Sequence, residues 1–357
     1  MDSQVIDVRQ DDEWLQVLNE CYLYDFYHCP SYHVLSIRET RDKAILFAYQ
    51  EGDYTIAIPL IIRPVNEIAG LESCQYNDAT SVYGYSGPVA SHATIPGKVV
   101  ENFQADLLQY LKDEDVVCAF SRLHPLMSQQ LILEGLGNTV RQGQTVSIDL
   151  TLPVDDQFSR FRPSSRSGIR KLRRAGLHCK DDQTAEHLND FVEIYQETMK
   201  RVNAKEEYFF DKGYFQDLLG ARDFAMHLFA CFVGDEMACG GVFSLCKGIV
   251  QDHLNGTRSE YLKLAPTKLL IDEVRLWANG VGAYCFHLGG GLGAEEDSLF
   301  HFKSGFSDSV HTFNVWQLVV LADEYADICR DKMLWNESKG FGRMTANYFP
   351  AYRAPAT

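Results

Sequence analysis

One lysine near the C-terminal end of the sequence has neighbours that could give it a chemical role. In the stretch HLGGGLGAEEDSLFHFKSGFS, residues 287–307, Lys303 lies between Phe302 and Phe306. We expect both phenylalanines to pack inward, which would leave the Lys303 ammonium projecting from a partly apolar wall. An ammonium in that setting can hold a phosphate or stabilise the oxyanion of an acyl transfer. The alternative is a surface lysine whose stem lies on apolar groups while its charge stays in water.

Three consecutive glycines, Gly289, Gly290 and Gly291, precede this lysine at the predicted end of a strand. Glycine permits positive φ and the close approach of another group to the backbone. The segment is not a Walker loop, because no Lys-Ser or Lys-Thr ends it, and it is not a GxGxxG motif followed by a helix. We therefore interpret it as a place where substrate or backbone comes close to the end of a strand.

A histidine in the predicted strand GIVQDHLNGT, residues 248–257, is a candidate general base. Strand alternation places Gln251, His253 and Asn255 on one face and Asp252 on the other. His253 has a side chain suited to deprotonating an amine, and Asn255 could orient a substrate. The alternative for His253 is a hydrogen-bonded strand histidine that faces a polar cleft.

A dense run of positive charge lies in the middle of the chain. Residues 160–174 include seven basic residues and no acidic one, whereas the whole chain has a net charge of -16. Arg166 and Arg170 belong to a four-residue repeat of arginines, which a helix would place along one face. Pro163 and Gly168 disfavour a helix at the start of this run. The run predicts either a phosphate-binding patch or a solvated linker.

The composition excludes several classes of protein. The negative net charge argues against a general nucleic-acid binder, although it leaves room for a local basic site. No apolar stretch is long enough to span a bilayer and no signal peptide is evident, so we expect a cytoplasmic protein without a membrane span. The ten cysteines form no CxxC pair, which favours free thiols over disulfides or zinc. Because HExxH, GxSxG and clustered carboxylate–histidine sets are absent, we expect neither a metal nor a covalent enzyme intermediate.

The chain contains an internal repeat. Residues 46–53 read LFAYQEGD and residues 228–235 read LFACFVGD, and a second apolar stretch follows each Gly-Asp, as in a hairpin. Both halves then continue as strand, helix and strand. We therefore predict an α/β fold with mixed sheets, in which a domain of residues 1–155 is followed by a domain of residues 156–357. The second domain would include the basic run and the C-terminal tail.

Several stretches together resemble the FemAB-type proteins, which have tandem GNAT-fold domains. HLGGG followed by DSLFHFKSGFS is similar to the C-terminal signature of that family. The other similar stretches are DATSVYGYSGPV (78–89), RSGIRKLRRAGL (166–177), YQETMKRVNAKEEYFFDKGYFQDLL (195–219), APTKLLIDEVRLWA (265–278) and FPAYR (349–353). The resemblance covers nearly the whole chain and implies two tandem GNAT-like domains.

The resemblance also implies acyl transfer to an amine. Lys303 matches the lysine that serves catalysis in this family, and we assign it the stabilisation of the oxyanion. Arg166, Arg170 and Arg173 are the nearest matches to basic residues that contact the phosphates of a nucleotide-linked acceptor.

The loop at residues 78–89 contains two tyrosines that could line an acceptor pocket. Tyr83 and Tyr85 would offer apolar ring faces and hydroxyl tips to a substrate. The alternative for both is packing within the turn.

Neither half contains the R/Q-x-x-G-x-G/A loop with which many GNAT domains bind the pyrophosphate of acyl-CoA. The corresponding segments are GTRSEYLKLAP (256–266) and YGYSG (83–87).

Three functions therefore stay open. The first is an N-acyltransferase that uses an acyl-CoA-type donor and a small-molecule or nucleotide-linked amine of a sugar or cell-envelope precursor. The second is an aminoacyl-tRNA-dependent transferase acting on a peptidoglycan precursor, and the third is a non-catalytic module that binds a nucleotide-linked ligand.

Overall fold

The computed structural model describes residues 2–38, 40–342 and 348–355. Its strands are β1 (Asp2–Asp7), β2 (Lys43–Glu51), β3 (Tyr54–Pro64), β4 (Asn77–Thr80), β5 (Val89–Ala90), β6 (Val116–Arg122), β7 (Asn138–Asp149), β8 (His178–Asp181), β9 (Ala225–Val233), β10 (Glu236–Cys246), β11 (Ile249–Thr257), β12 (Cys285–Gly289) and β13 (Ser309–Val319). Its α-helices are α1 (Asp11–Glu20), α2 (Pro30–Ile37), α3 (Gly97–Asp113), α4 (Gln130–Leu133), α5 (Val154–Arg160), α6 (Pro163–Arg174), α7 (Leu188–Arg201), α8 (Lys212–Leu219), α9 (Thr267–Gly280), α10 (Ser298–Lys303) and α11 (Ala322–Ser338).

The chain forms two compact units with corresponding element orders. The first unit consists of residues 1–142 and 313–357, and the second consists of residues 143–312. Strands in the first unit follow the order β1-β2-β3-β4-β6-β13, and those in the second follow β7-β12-β11-β10-β9-β8. The pairs β4–β6 and β11–β12 are parallel, whereas the other strand pairs described here are antiparallel. The predicted α/β fold with mixed sheets is confirmed.

Two short turns explain the repeated sequence LFA…GD. Gly52 and Asp53 connect β2 to β3, and Gly234 and Asp235 connect β9 to β10. The glycine has positive φ in both turns, 60° and 59°. A two-residue hairpin of type II′ requires this conformation at its first central position, where a side chain would be strained. The hairpins therefore have the predicted positions.

Helices cover both faces of the sheet in the second unit. Ile169 of α6 and Val274 of α9 pack in one core with Phe243 and Phe286 of the sheet. Helix α7 contacts β10 and β11 on the other face. There the backbone of β11 comes so close to α7 at Gly256 that a Cβ would lie 3.0 Å from a helix carbonyl oxygen. The second unit is thus a sheet between two helical layers.

Each unit is completed by a strand from the other half of the sequence. Strand β7 follows β6 along the chain but pairs with β12, and β13 follows β12 but pairs with β6. The C-terminal tail also belongs to the first unit, where the Arg353 guanidinium and the Tyr352 hydroxyl both donate to the buried Asp78 carboxylate. The compact units therefore differ from the predicted ranges 1–155 and 156–357, because residues 313–357 group with the first unit. None of the described helices combines the length and the apolar character that crossing a bilayer requires.

Candidate functional site

An opening in the second unit begins where two parallel strands stop pairing. Strands β11 and β12 pair only at Ile249–Gln251 and Cys285–His287, although β11 continues to Thr257. At the last pair, His287 Nδ1 and Gln251 Oε1 are 2.6 Å apart, and both side chains are buried. The residues of β11 after Gln251 therefore line the place where the two strands separate.

A β-bulge at His253 changes which side chains face this opening. Val242 pairs with Leu254 and Phe243 pairs with Asp252, so His253 is the extra residue between them. The strict alternation expected from the sequence is therefore wrong here.

Asn255 and Asp252 lie on one side of β11 because of this bulge. Asn255 Nδ2 donates to Asp252 Oδ1 over 3.0 Å. His253 is buried, and burial lowers its pKa to about 3. A base with so low a pKa is neutral at physiological pH and accepts a proton weakly, so the role of His253 as general base stays a prediction.

The structure brings Lys303 together with Asp252. Lys303 is the last residue of α10 and is only 9% exposed. Burial lowers the pKa of its ammonium, while the nearby carboxylates of Asp252 and Asp297 act to raise it. Burial likewise raises the pKa of Asp252, while the charge of Lys303 and the hydrogen bond from Asn255 act to lower it. The result is a desolvated lysine beside a carboxylate that no sequence pattern singles out as functional.

Lys303 is held in place by the short helix α10 and its cap. The Asp297 carboxylate accepts from the backbone N–H of Phe300 over 2.9 Å and from that of Leu292 over 3.2 Å. Phe306 is fully buried and Phe302 packs against the same core. The predicted inward packing on both sides of Lys303 is confirmed by these contacts.

The three glycines let the chain pass close to itself before α10. Gly289 ends β12 with a positive φ of 76°. A Cβ at Gly290 would lie 2.7 Å from the carbonyl oxygen of Gln144, and a Cβ at Gly291 would collide with the Asp297 carboxylate. Close approach of the backbone is thus confirmed. A role for these glycines in binding substrate stays a prediction.

The basic run forms a helix from Pro163 onward. Helix α6 begins at Pro163, which suits the first helical position because its missing N–H has no partner to lose there. Arg162, just before it, donates to the carbonyl oxygen of His301 over 3.1 Å and to the hydroxyl of Ser304 over 2.9 Å. These contacts join the start of α6 to the segment that carries Lys303.

The three predicted phosphate-binding arginines have different surroundings. Arg173 contacts Asp272 over 2.9 Å and Glu273 over 2.7 Å, so its charge is already paired. Arg170 is exposed, with its guanidinium 5.4 Å from the ring centroid of Phe158. The pairing of Arg173 could not be predicted from the sequence, because its partners lie on α9, far along the chain.

Lys268 is a further basic residue beside α6. The helices approach closely at Gly168, where a Cβ would lie 3.4 Å from Lys268 Nζ. Gly168 lies between Arg166 and Arg170, and Arg166 is half-buried. Lys268 therefore adds a third cation to this part of α6.

The first amide groups of α9 form hydrogen bonds with the loop that precedes the helix. Residues Ser259–Leu264 form a 3₁₀ helix, and Ala265 follows with a left-handed φ of 52°. The backbone N–H of Lys268 donates to Ala265 over 3.1 Å, and that of Leu269 donates to Pro266 over 2.9 Å. These two N–H groups are therefore not directed at a pyrophosphate, in keeping with the missing glycine motif.

The tyrosine-rich loop lies in the first unit. Tyr83 is 44% exposed, and its carbonyl oxygen accepts from the Tyr32 hydroxyl over 3.0 Å. The ring of Tyr85 meets Tyr27 at 5.8 Å and Phe313 at 5.1 Å between centroids. These contacts fix the turn, while the acceptor-binding role of both tyrosines stays a prediction.

A buried hydrogen bond supports the same loop. His124 Nε2 is 2.9 Å from Asp25 Oδ2, and neither side chain reaches solvent. The backbone N–H of Leu126 donates to His124 Nδ1, which leaves the proton on Nε2 to donate to Asp25. The ring of Tyr85 lies 6.2 Å from that of His124. Across the described ranges of both units, no group of three or more His, Cys, Asp or Glu side chains is arranged to hold a metal ion.

Residues 159–304 match the model of the acetyltransferase (GNAT) domain family. This segment is a GNAT acetyltransferase domain. It lies in the second unit and contains α6, the bulged strand β11 and Lys303. No curated protein sequence matches the chain.

Solved structures extend the likeness of fold beyond the GNAT domain. FemX is 13% identical, with a TM-score of 0.69 over 92% of this chain and 100% of its own. The C-terminal DUF2156 domain of a proposed lysylphosphatidylglycerol synthetase from Agrobacterium fabrum is 11% identical, with a TM-score of 0.56 over 93% and 96%. L-PGS from Bacillus licheniformis is 14% identical, with a TM-score of 0.53 over 85% and 90%. The chain therefore contains a segment that matches the GNAT acetyltransferase domain, and its overall fold is similar to that of FemX.

Proposed function

We propose that the protein is an N-acyltransferase that moves an acyl group from an acyl-CoA-type donor to an amine of a nucleotide-linked sugar or cell-envelope precursor. The observation that carries the proposal is the buried Lys303 ammonium beside the carboxylate of Asp252 at the point where β11 and β12 separate. The solved structure of a proposed lysylphosphatidylglycerol synthetase, whose fold is similar, supports a cell-envelope acceptor.

Lys303 stabilises the charge that develops during the reaction. The amine nitrogen attacks the acyl carbon, a C–N bond forms, and the carbonyl π electrons move onto oxygen. A fixed ammonium in a desolvated site interacts with that oxyanion more strongly than it would in water, and it needs no reorganisation during the step. The intermediate then collapses, the C–S bond breaks, and the sulfur leaves with the bonding electrons.

Asp252 is the group best suited to accept the amine proton. Its raised pKa moves it towards the range in which a carboxylate is an effective base, and the hydrogen bond from Asn255 fixes its orientation. The proton taken from nitrogen then passes to the departing sulfur, which balances the step. His253, which the sequence also predicts as a base, suits this role less well because burial lowers its pKa to about 3.

Phosphates of the donor or acceptor bind at α6. We place this contact at Arg166, Arg170 and Lys268, whose charges are close together on α6 and α9 in an otherwise acidic chain. Arg173 contributes less, because Asp272 and Glu273 already neutralise it.

An aminoacyl-tRNA-dependent transferase is the second candidate function. Two observations support it: the backbone N–H groups of Lys268 and Leu269 at the start of α9 are occupied by the preceding loop, and the exposed face of α6 is basic. The same Lys303 and Asp252 would then act on an ester, with oxygen as the leaving atom.

A panel of donors and acceptors tests the proposal. Purified protein is incubated with acetyl-CoA, longer acyl-CoA or aminoacyl-tRNA, each with UDP-linked amino sugars or peptidoglycan-precursor peptides, and products are identified by mass spectrometry. Amide formation from acyl-CoA supports the first function, and amide formation only from aminoacyl-tRNA supports the second. Calorimetric binding of a UDP-linked ligand without turnover of any donor would overturn both and favour the non-catalytic binding module.

A further inference from the structure

Three cysteines of the second unit form a row that the proposed reaction does not use. Cys179 of β8 pairs directly with Cys231 of β9, and Cys231 pairs in turn with Cys239 of β10. Directly opposite residues on adjacent strands point to the same face of a sheet. All three are free thiols, and the thiol of Cys231 interacts with both neighbours by hydrogen bonding.

The backbone pairing places Cys179 and Cys231 at a distance that a disulfide requires. The N–H of Asp182 donates to the carbonyl oxygen of Leu228 over 2.7 Å, which makes that pair a hydrogen-bonded one. Pairs alternate along an antiparallel ladder, so Cys179 and Cys231, three positions away, are a non-hydrogen-bonded pair with Cα atoms about 4.5 Å apart. Disulfides span Cα separations of about 4.4–6.8 Å.

The two thiols differ in access and in acidity. Cys179 is half-buried on β8, a four-residue strand at the edge of the sheet, whereas Cys231 is fully buried. The hydrogen bond from Cys179, followed by that from Cys239, lowers the pKa of Cys231, whereas the hydrogen bond with Cys231, followed by burial, raises the pKa of Cys179. A thiolate is the reactive form of cysteine, and a short edge strand opens more easily than a central one.

We propose that Cys179 and Cys231 are an oxidation site and form a reversible cross-strand disulfide when the protein meets a peroxide. One thiolate attacks the O–O bond of hydrogen peroxide, which gives a sulfenic acid and, after protonation, one water molecule. The other thiol then attacks the sulfenic sulfur, the S–S bond forms, and a second water molecule leaves. Peroxide is reduced and the two thiols are oxidised, so electrons and atoms balance. A dithiol reductant reverses the change.

The bond would fix the segment that carries the basic helix. Strand β8 follows α6 after the three residues 175–177, and β8 has no covalent link to β9 in the reduced protein. The disulfide would therefore hold the C-terminal end of α6 against the sheet.

Peptide mapping of the full-length protein tests this proposal. The protein is treated with hydrogen peroxide, remaining thiols are blocked with N-ethylmaleimide, and the chain is digested with trypsin and a glutamate-specific protease. Cleavage at Glu236 separates Cys231 from Cys239, so each candidate bond gives a distinct linked peptide. We expect the Cys179–Cys231 peptide, with a mass two hydrogen atoms below the sum of its parts, and its loss after dithiothreitol.

Matched variants exclude unspecific oxidation. Cys179→Ser should abolish the linked peptide, whereas Cys246→Ser, which removes a buried thiol outside the row, should leave it unchanged. The peptide map of the wild-type protein tests the proposed disulfide even if a variant folds poorly. A Cys231–Cys239 peptide in place of the expected one, or complete N-ethylmaleimide labelling of Cys179 after peroxide treatment, would overturn the assignment.

Discussion

Replacing Lys303 by methionine removes one buried cation while keeping a side chain of similar length. Because Lys303 is only 9% exposed, the apolar replacement can occupy the same space without reaching water. If its ammonium meets the oxyanion, the variant loses one preorganised donor in the transition state. Loss of such a donor typically lowers kcat by about 10²–10³-fold, or about 2.7–4 kcal/mol. We expect a decrease of that size with little change in KM.

The same substitution should have little effect on stability, because two contributions offset each other. Burial disfavours the Lys303 charge, so its removal is favourable, whereas Asp252 loses a neighbouring cation. We expect the free energy of unfolding at pH 7 to change by no more than about 1 kcal/mol, because Asp252, whose pKa burial already raises, can take up a proton when the neighbouring cation is removed. The pH dependence should also differ. The pKa of Lys303 is lower in the folded protein than its value of 10.5 in the unfolded chain. Between these two pKa values the unfolded chain binds more protons than the folded protein, so the stability of the wild type rises as the pH increases through that range. Lys303→Met should lose this rise.

A second lysine supplies a matched control. Lys332 is 8% exposed and burial also lowers its pKa, but it lies in the first unit and donates to the carbonyl oxygen of Ala69. Lys332→Met should keep kcat within about twofold of wild type. Steady-state turnover by mass spectrometry and urea unfolding followed by circular dichroism are measured for both variants. The assigned role of Lys303 is refuted if Lys303→Met keeps kcat within about threefold of wild type, or if both variants lose activity equally.

Four further substitutions have separable outcomes. Asp252→Asn should lower kcat by about 10²-fold and remove the rise in rate as pH increases through the carboxylate pKa, which a pH–rate profile measures; an unchanged profile would contradict its role as base. Arg166→Ala should raise KM for a phosphate-bearing substrate about tenfold at low salt, and less as salt screens the contact. Arg173→Ala should leave KM unaltered and lower the free energy of unfolding by about 1 kcal/mol, since Arg173 pairs with carboxylates. A raised KM would show instead that Arg173 binds the phosphate of the substrate. Asp78→Asn should lower the free energy of unfolding, measured in urea, by about 3–5 kcal/mol, because Arg63 and Arg353 lose the buried carboxylate that pairs with them. A loss below about 1 kcal/mol would show that this carboxylate contributes little to the first unit.

The sequence allowed the setting of Lys303 to be predicted, because local features specify it. Aromatic neighbours, a capping aspartate and glycines lie within one short stretch. The position of Asp252 could not be read in the same way. Strict alternation separates it from Asn255, and only the bulge at His253 brings the two together. A bulge depends on the register with a neighbouring strand, which the strand's own sequence does not contain.

Contacts between distant segments account for the remaining differences. The sequence predicts phosphate binding by Arg173, but its acidic partners are on a helix about a hundred residues later. The sequence also predicts the C-terminal tail in the second domain, but its arginine, Arg353, binds Asp78 in the first unit. Helical and strand periodicity identify elements well, whereas they carry no information on which distant element completes a sheet or neutralises a charge.

The pairing of β6 with β13 has a consequence for how the chain folds during synthesis. β6 is complete by Arg122, but its partner strand leaves the ribosome only ~190 residues later, a sequence separation that slows folding. At about 5–20 residues per second, the edge of β6 would stay uncovered for roughly 10–40 s. An uncovered edge strand can pair with other chains. Nascent chains of this protein should therefore depend on chaperones until Val319 has emerged, and a ribosome stalled before that residue should present an unfinished first unit.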